Sequence, residues 1–251
     1  MKITTSTFTL YFPQNQNIRE SIFKLEKYFD EFQKPFTLVP LPQDAPVEIP
    51  RIIAATIHGH SQLIFNANSV QLKTIFDNDY PQNVDKCLNY IGGKIDKIKR
   101  ALSIVNDDNN TIIYYSGLSM DIEYDQCDEI ENPVNFILKH HFKDQISEPV
   151  SEVNMRVALV LRSRYYVNIM LQNLRKYMGQ PDERGSFAGL NEINEKLNVT
   201  LDINDKYAFD HLKNYVSSDN DIHNVLQITD DFVKKYITIF VKTGELNYDS
   251  K

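Results

Sequence analysis

The chain has 251 residues, 42% of them hydrophobic and 24% charged, with a formal net charge of −7. This is ordinary globular usage for one large or two small domains, and the acidity argues against a dedicated duplex-binding protein, which is normally basic throughout. The sequence contains no run of about 18 apolar residues and no signal-like start, so we expect a cytoplasmic protein without a membrane span. We expect Cys87 and Cys127 to be buried apolar residues, not a disulfide.

The N-terminal region is predicted to hold a strand, a helix and a connector. Apolar and polar residues alternate from Ile3 to Phe12, which indicates a strand. Apolar residues then recur at spacings of four and three from Ile18 to Phe32, which places them on one face of a helix. Five prolines between residues 34 and 50 predict an irregular connector.

The next region is predicted to be three short strands followed by a long helix. The strands occupy residues 50–76, and the first turn is the polar segment His58-Gly59-His60-Ser61. The helix covers residues 83–105, with apolar residues at the same four-three spacing. Gly92 and Gly93 in its middle predict either a kink or a close crossing of the helix over the sheet.

The second half begins after the breaker cluster at residues 106–110. A long strand is predicted over residues 111–124, and Asn132-Pro133 is typical of a helix start. Alternation predicts paired strands over residues 152–161 and 166–174, joined by a turn at Arg162-Ser163-Arg164.

The last region is predicted to contain a helical turn, a strand and a helix. The turn covers residues 190–197, and the strand follows at residues 199–203. The terminal helix covers residues 222–241, with an apolar stripe along one face.

The two parts of the chain share one order of elements, which indicates a diverged internal duplication. Residues 1–106 and 111–251 are each predicted to form a β-α-β-β-β-α half. The fold class is therefore α+β, with two similar halves forming a curved antiparallel sheet and helices packed on one face. We expect the halves to form one compact unit.

The chain resembles a sporadically distributed, uncharacterised bacterial protein family of about 250 residues. The pieces that carry the resemblance are Pro50-Arg51 at a strand start, Asp79-Tyr80-Pro81 before the long helix, the strand Tyr115–Met120, and the tail Phe232–Leu246. The resemblance implies a bacterial or prophage accessory protein. It implies no catalytic residue, because the family has none established.

Two groups of residues are weak candidates for metal ligands. Asp121, Glu123 and Asp125 alternate on one face of a strand, where carboxylates can converge on Mg²⁺; the alternative is a solvated strand face. His58 and His60 flank a glycine and could chelate a transition metal together with a third ligand, or form a polar hairpin tip. We predict no bound metal and no cofactor.

A local excess of positive charge gives the best candidate for a ligand site. Between residues 152 and 178 the basic residues outnumber the acids, and tyrosines are interleaved with them. Arginines with aromatic rings on an open sheet can hold phosphates and stack bases. Alternatively, the arginines pair with the acidic segment at residues 107–148. The candidate ligand-binding residues are Arg156, Arg162, Arg164, Tyr165, Tyr166 and Arg175.

The sequence favours a non-catalytic bacterial or prophage accessory protein that binds or regulates another protein through a sheet face or helix surface. The alternative is binding of nucleic acid or an anionic ligand at the Arg/Tyr surface, and the second alternative is a metal-dependent hydrolase. An exposed apolar sheet face would favour the first function. A continuous positive surface would favour the second, and a cleft with three converging carboxylates the third.

Overall fold

The computed structural model describes residues 1–42, 45–106, 111–124, 132–142, 146 and 148–248. Within these ranges the chain forms nine strands and six α-helices. The strands are β1 (Lys2–Tyr11), β2 (Thr37–Leu38), β3 (Ile52–Ala55), β4 (Ser61–Phe65), β5 (Ser69–Ile75), β6 (Tyr115–Tyr124), β7 (Asn154–Leu161), β8 (Tyr165–Met178) and β9 (Asn191–Asn204). The helices are α1 (Ile22–Tyr28), α2 (Val84–Asn106), α3 (Pro133–His141), α4 (Lys206–His211), α5 (Asp219–Asp231) and α6 (Ile237–Thr243).

All nine strands belong to one antiparallel sheet, in the order β2-β3-β4-β5-β1-β6-β9-β8-β7. The first strand of each predicted half, β1 and β6, lie side by side near its centre, with Phe8 opposite Leu118. The prediction of an α+β protein with an antiparallel sheet is therefore confirmed. No helix in the described part of the chain is both long and apolar enough to cross a membrane.

The core lies between one face of this sheet and the helices that cover it, which include α2 and α5. Alternate residues on the central strands, such as Leu10 on β1 and Met120 on β6, are fully buried on that face. They join one apolar cluster with Ile91 and Ile98 of α2 and Val225 of α5. The spacing that predicted the α2 stripe therefore identified its buried side.

The first helix is shorter than predicted. The chain forms a 3-10 turn at Ile18–Ser21 and then α1, and it becomes extended at Phe29. Phe29 and Phe32 are buried outside the helix, where their rings meet edge to face with centroids 5.3 Å apart. The apolar spacing therefore predicted their burial correctly but not their conformation, because aromatic packing replaces the last helical turn.

Residues 190–197 are predicted as a helical turn, but residues 191–197 instead form the first half of β9. This segment pairs with the end of β8, and the two strands continue as a hairpin to Met178 and Asn191. An ion pair across the hairpin, from Arg175 Nε to Glu195 Oε1 at 2.9 Å, stabilises the pairing. The helical interpretation failed because the pairing partner is remote in sequence.

The C-terminal helix begins earlier than predicted and is not uniform. Ser218 caps α5 in a capping box with Asp221, which moves the start to Asp219. A π-helical segment at Phe232–Tyr236 separates α5 from α6, and Gly244 ends α6 at φ 72°. Left-handed backbone of this kind favours glycine.

Helix α2 runs from Val84 to Asn106 as one uninterrupted element. The contact outside α2 that a Cβ at Gly92 would make is with Leu226 of α5, not with the sheet. A Cβ at either glycine would meet no sheet atom within 4 Å, so the predicted close crossing over the sheet does not occur there. Cys87, on the opposite side of α2, is buried as predicted, whereas Cys127 lies outside the described residues.

Candidate functional site

The sheet face opposite the core carries polar side chains along its central strands. On β6, Asp121 accepts hydrogen bonds from the hydroxyls of Thr5 on β1 (2.6 Å) and Thr200 on β9 (2.7 Å). Glu123 on the same strand pairs with Lys196 at 2.6 Å. An exposed apolar sheet face would favour partner binding through the sheet. These strands present a polar face instead.

These contacts also bear on the candidate Mg²⁺ site. Asp121 and Glu123 are both engaged by neighbouring side chains, and Asp125 lies outside the described residues. The rings of His58 and His60 have centroids 6.4 Å apart. Across the described part of the chain, no group of three or more His, Cys, Asp or Glu residues could hold a metal ion.

Two of the predicted ligand residues, Arg156 and Tyr166, lie on the polar sheet face. Arg156 is exposed on β7 and donates a hydrogen bond from Nη2 to Asn168 Oδ1 at 3.0 Å. Asn168 in turn donates to Asp202 at 2.8 Å, and burial raises the pKa of Asp202. Tyr166 packs edge to face against Tyr207 of α4, with centroids 5.2 Å apart. α4 thus contributes a ring to this face of the sheet.

Tyr165 and Arg164 instead contact the start of α5. Tyr165 is 1% exposed, and its hydroxyl donates to Asp221 Oδ1 at 3.1 Å. Arg164 Nη2 lies 3.3 Å from the same oxygen. Burial raises the pKa of Asp221, but hydrogen bonds from Ser218 and the charge of Arg164 outweigh it and lower that pKa overall. The cluster ties α5 to the sheet, and it leaves the Tyr165 ring no open face for stacking.

Arg175 and Arg162 occupy two further surroundings. Arg175 pairs with Glu195 and donates to the carbonyl of Ser151 at 2.7 Å. Arg162 is exposed in the predicted β7–β8 turn, at φ 51°. The acids that contact Arg164 and Arg175 follow them in the chain, whereas the acidic segment of the alternative prediction lies partly outside the described residues.

The helix layer carries a groove that the sequence interpretation did not anticipate. It lies between α2 and α5 and encloses about 540 Å³. Gly92 and Gly93 line it on α2, together with apolar side chains such as Leu88, and Leu226 lines it on α5. The lining residues on α2 and those on α5 are more than 100 positions apart in the sequence. The two walls of the groove therefore come together only when the chain folds.

Neither glycine is explained by packing against the residues that the structure describes. A glycine in a helix interior costs about 1 kcal/mol relative to alanine. A Cβ at Gly93 would meet no atom within 4 Å, and a Cβ at Gly92 would meet Leu226 Cδ1 at 3.8 Å, which is an ordinary contact. The two glycines therefore weaken α2 and open the groove floor without relieving any clash.

Replacing Gly92 or Gly93 by alanine is expected to stabilise the protein, because each change lowers the entropy of the unfolded chain without strain. We expect a gain of about 0.5 to 1 kcal/mol in the free energy of unfolding for each variant. Urea unfolding followed by circular dichroism measures it. Gly244→Ala is the matched control and should destabilise, because Gly244 has φ 72° and an added Cβ would lie 2.9 Å from the His140 carbonyl oxygen. A loss of stability in both helix variants would contradict the expectation.

Comparison with known proteins does not assign a function to the groove. No family model matches the sequence, and no curated protein matches it. The groove must therefore be interpreted from its own residues. The signal in the sequence was the pair of glycines inside an otherwise regular helical pattern.

Proposed function

We propose that this chain is a non-catalytic protein-binding module and that its partner occupies the groove between α2 and α5. The observation that carries the proposal is the pair Gly92 and Gly93, which is unfavourable for α2 alone and leaves the groove floor bare. A bare backbone surface allows another backbone to approach closely. The cost of the two glycines is offset when a partner segment lies against them.

The groove has a negative rim. The charged residues around it are Asp85, Asp96, Asp219, Asp230, Lys99 and Lys234. Lys99 pairs with Asp219, and Lys234 pairs with both Asp85 and Asp230. Four acids against two lysines leave a net charge of −2, and Asp96 makes no ion pair among the described residues.

The partner that fits these walls is an amphipathic helix with basic flanks. Its apolar face would contact Leu88, Ile95 and Leu226, and its lysines or arginines would lie beside the aspartates of the rim. Helix-in-groove recognition combines these two features, apolar anchors in the groove and complementary charge at its edges. The proposal therefore names a helical protein segment as the occupant.

A side chain placed in the groove should abolish partner binding without unfolding the protein. Gly93→Gln fills the open space above Gly93, and Arg100→Gln is the matched control, because Arg100 is exposed on the same helix outside the groove. We expect the parent and Arg100→Gln proteins to retain one specific partner from a lysate of the source cells, and Gly93→Gln to lose it. Isothermal titration with the purified partner then quantifies the loss, which we expect to exceed tenfold.

The proposal fails if the partner binds Gly93→Gln as tightly as it binds the parent protein. It also fails if the segment responsible is acidic or extended. A helical segment with basic flanks, whose affinity falls as the salt concentration rises, would support both the location and the chemistry.

We further propose that the two halves, residues 1–106 and 111–251, arose by internal duplication. The strand order supports this, because β3-β4-β5-β1 on one side of the centre corresponds to β7-β8-β9-β6 on the other. β2 and α4 are additions without a counterpart in this scheme. On this proposal, α2 and α5 are equivalent helices, and the groove lies between the two copies.

The cellular setting is proposed on the sequence alone. The resemblance described above supports membership in that uncharacterised bacterial family and a role as a bacterial or prophage accessory protein in the cytoplasm. The anionic-ligand alternative would depend on Arg156, Arg162 and Tyr166, because Arg164 and Arg175, although partly exposed, are already paired with Asp221 and Glu195. The hydrolase alternative would depend on Asp125 in addition to the two engaged carboxylates.

A further inference from the structure

A second cavity lies beside the N-terminal half of α2, on the side facing the β3–β4 turn. It encloses about 330 Å³, within the range of small-molecule sites. Its walls include three aromatic rings, those of Phe76, Tyr80 and Tyr90. It shares no lining residue with the groove between α2 and α5.

The aromatic walls are held in place by packing and hydrogen bonds. The rings of Phe76 and Tyr80 are nearly parallel with centroids 6.1 Å apart, and Tyr80 meets Tyr90 edge to face at 6.2 Å. The hydroxyl of Tyr90 lies 2.8 Å from Ser61 Oγ, which is itself 3.0 Å from Thr74 Oγ1. The Tyr90 hydroxyl is therefore satisfied within the protein, and the rings present a preformed apolar surface.

The ionic groups around the cavity compensate one another. Lys94 Nζ lies 2.9 Å from Glu31 Oε1, and Lys97 contacts the same carboxylate at 3.1 Å. Burial raises the pKa of Glu31, but hydrogen bonds from these two lysines outweigh it and lower that pKa overall. At the other end, His60 Nδ1 lies 3.5 Å from Asp77 Oδ2. The walls thus offer a ligand apolar surface, and the charges of Glu31 and Lys94 are already paired.

The mouth of the cavity exposes an apolar side chain that the fold does not cover. Ile57, in the turn beside His58, is 67% exposed and lines the cavity. A molecule in the cavity would remove this side chain and the neighbouring ring edges from water, which is favourable. A charged ligand would have to compete with the Glu31–Lys94 ion pair or with the His60–Asp77 contact to gain a partner, whereas an uncharged one would not.

We propose that this cavity binds an uncharged, planar aromatic small molecule. Its ring would lie among Phe76, Tyr80 and Tyr90, and Ile57 would cover it at the mouth. Aromatic side chains favour such ligands through offset and edge-to-face contacts in addition to burial. This binding activity is independent of the partner proposed for the groove.

The proposal is tested with prodan, an uncharged naphthalene dye whose emission shifts to the blue in apolar surroundings. The chain contains no tryptophan, so indole fluorescence does not interfere. We expect saturable, blue-shifted binding to the parent protein, and at least a tenfold loss of affinity in Ile57→Glu. The matched control is Ile193→Glu, because Ile193 is 60% exposed on β9 and does not line the cavity. It should bind prodan as the parent does.

A second variant is needed because Ile57→Glu could weaken binding by changing the conformation of the turn. Tyr80→Leu removes one aromatic wall while keeping an apolar side chain, and it should weaken prodan binding by at least fivefold at an unchanged melting temperature. Dye that fails to saturate, or that binds Ile57→Glu and Tyr80→Leu as tightly as the parent, overturns the proposal. Gly93→Gln should bind prodan normally, so failure of the groove proposal is distinguishable from failure of this one.

Discussion

Ile91→Asp is expected to remove the cooperative thermal unfolding transition of the protein. Ile91 is fully buried in the middle of α2, within the apolar cluster shared by the sheet and the helices. An unpaired carboxylate there costs several kcal/mol, whereas a whole domain is stable by about 5 to 15 kcal/mol. Circular dichroism during heating measures the effect.

The matched control for this substitution is Asn89→Asp. Asn89 is exposed on the same helix, so the variant adds the same charge without burying it. Its melting midpoint should stay within a few degrees of the parent value. A midpoint for Ile91→Asp equally close to the parent would mean that the apolar stripe of α2 is not the core surface of this fold.

The sequence predicted α2 well because the relevant information is local. Its apolar spacing repeats over several turns, and the buried residues Ile91, Ile95 and Ile98 follow from that period alone. Residues 190–197 carried no comparable signal. Their conformation is set by pairing with residues 173–178 of β8, which a local pattern does not reveal.

The candidate ligand residues show the same limit at the level of side chains. Adjacent residues on a strand point to opposite faces. The side chains of Tyr165 and Tyr166 therefore lie on opposite faces of the sheet, whatever the position of the strand in it. Arg156 alternates with the apolar residues of β7 and is exposed on the face away from the core. Arg162 is six residues further on and would lie on the same face if the strand continued. The chain turns at Arg162 with φ 51°, however, and this ends the alternation.

The groove and the aromatic cavity depend on contacts between distant segments. The groove requires α5 to pack near α2, and the cavity requires Tyr90 to reach Ser61 on β4, at a distance of 2.8 Å. Neither contact has a pattern that a single sequence displays. The sequence does show the two glycines in α2. They lower the stability of the helix, because residues of higher helix propensity would be favoured at these positions.

Asp205→Ala is expected to destabilise the protein strongly, because this fully buried carboxylate joins three segments of the chain. It accepts hydrogen bonds from the amide of Ser116 on β6 at 2.5 Å, the hydroxyl of Tyr215 at 2.7 Å and the hydroxyl of Ser217 at 2.5 Å. Alanine would leave these donors without their acceptor, at about 1 to 3 kcal/mol for each buried group. We expect a loss of about 3 to 5 kcal/mol, measured by urea unfolding at pH 7.

Asp205→Asn is the matched control, and it also isolates the titration of this group. Burial raises the pKa of Asp205 above its ordinary value of 3.8, so the folded protein binds this proton more readily than the unfolded chain does. The contribution of the carboxyl to stability is therefore greatest below pH 3.8 and declines as the pH rises through the raised pKa. Asparagine cannot titrate, so the stability of the parent relative to Asp205→Asn should fall as the pH rises from about 4 through the raised pKa of Asp205. A difference that grows with pH would show that the hydrogen bonds to the carboxylate outweigh its burial, and an alanine variant as stable as the asparagine one would show that Asp205 is not needed as a buried acceptor.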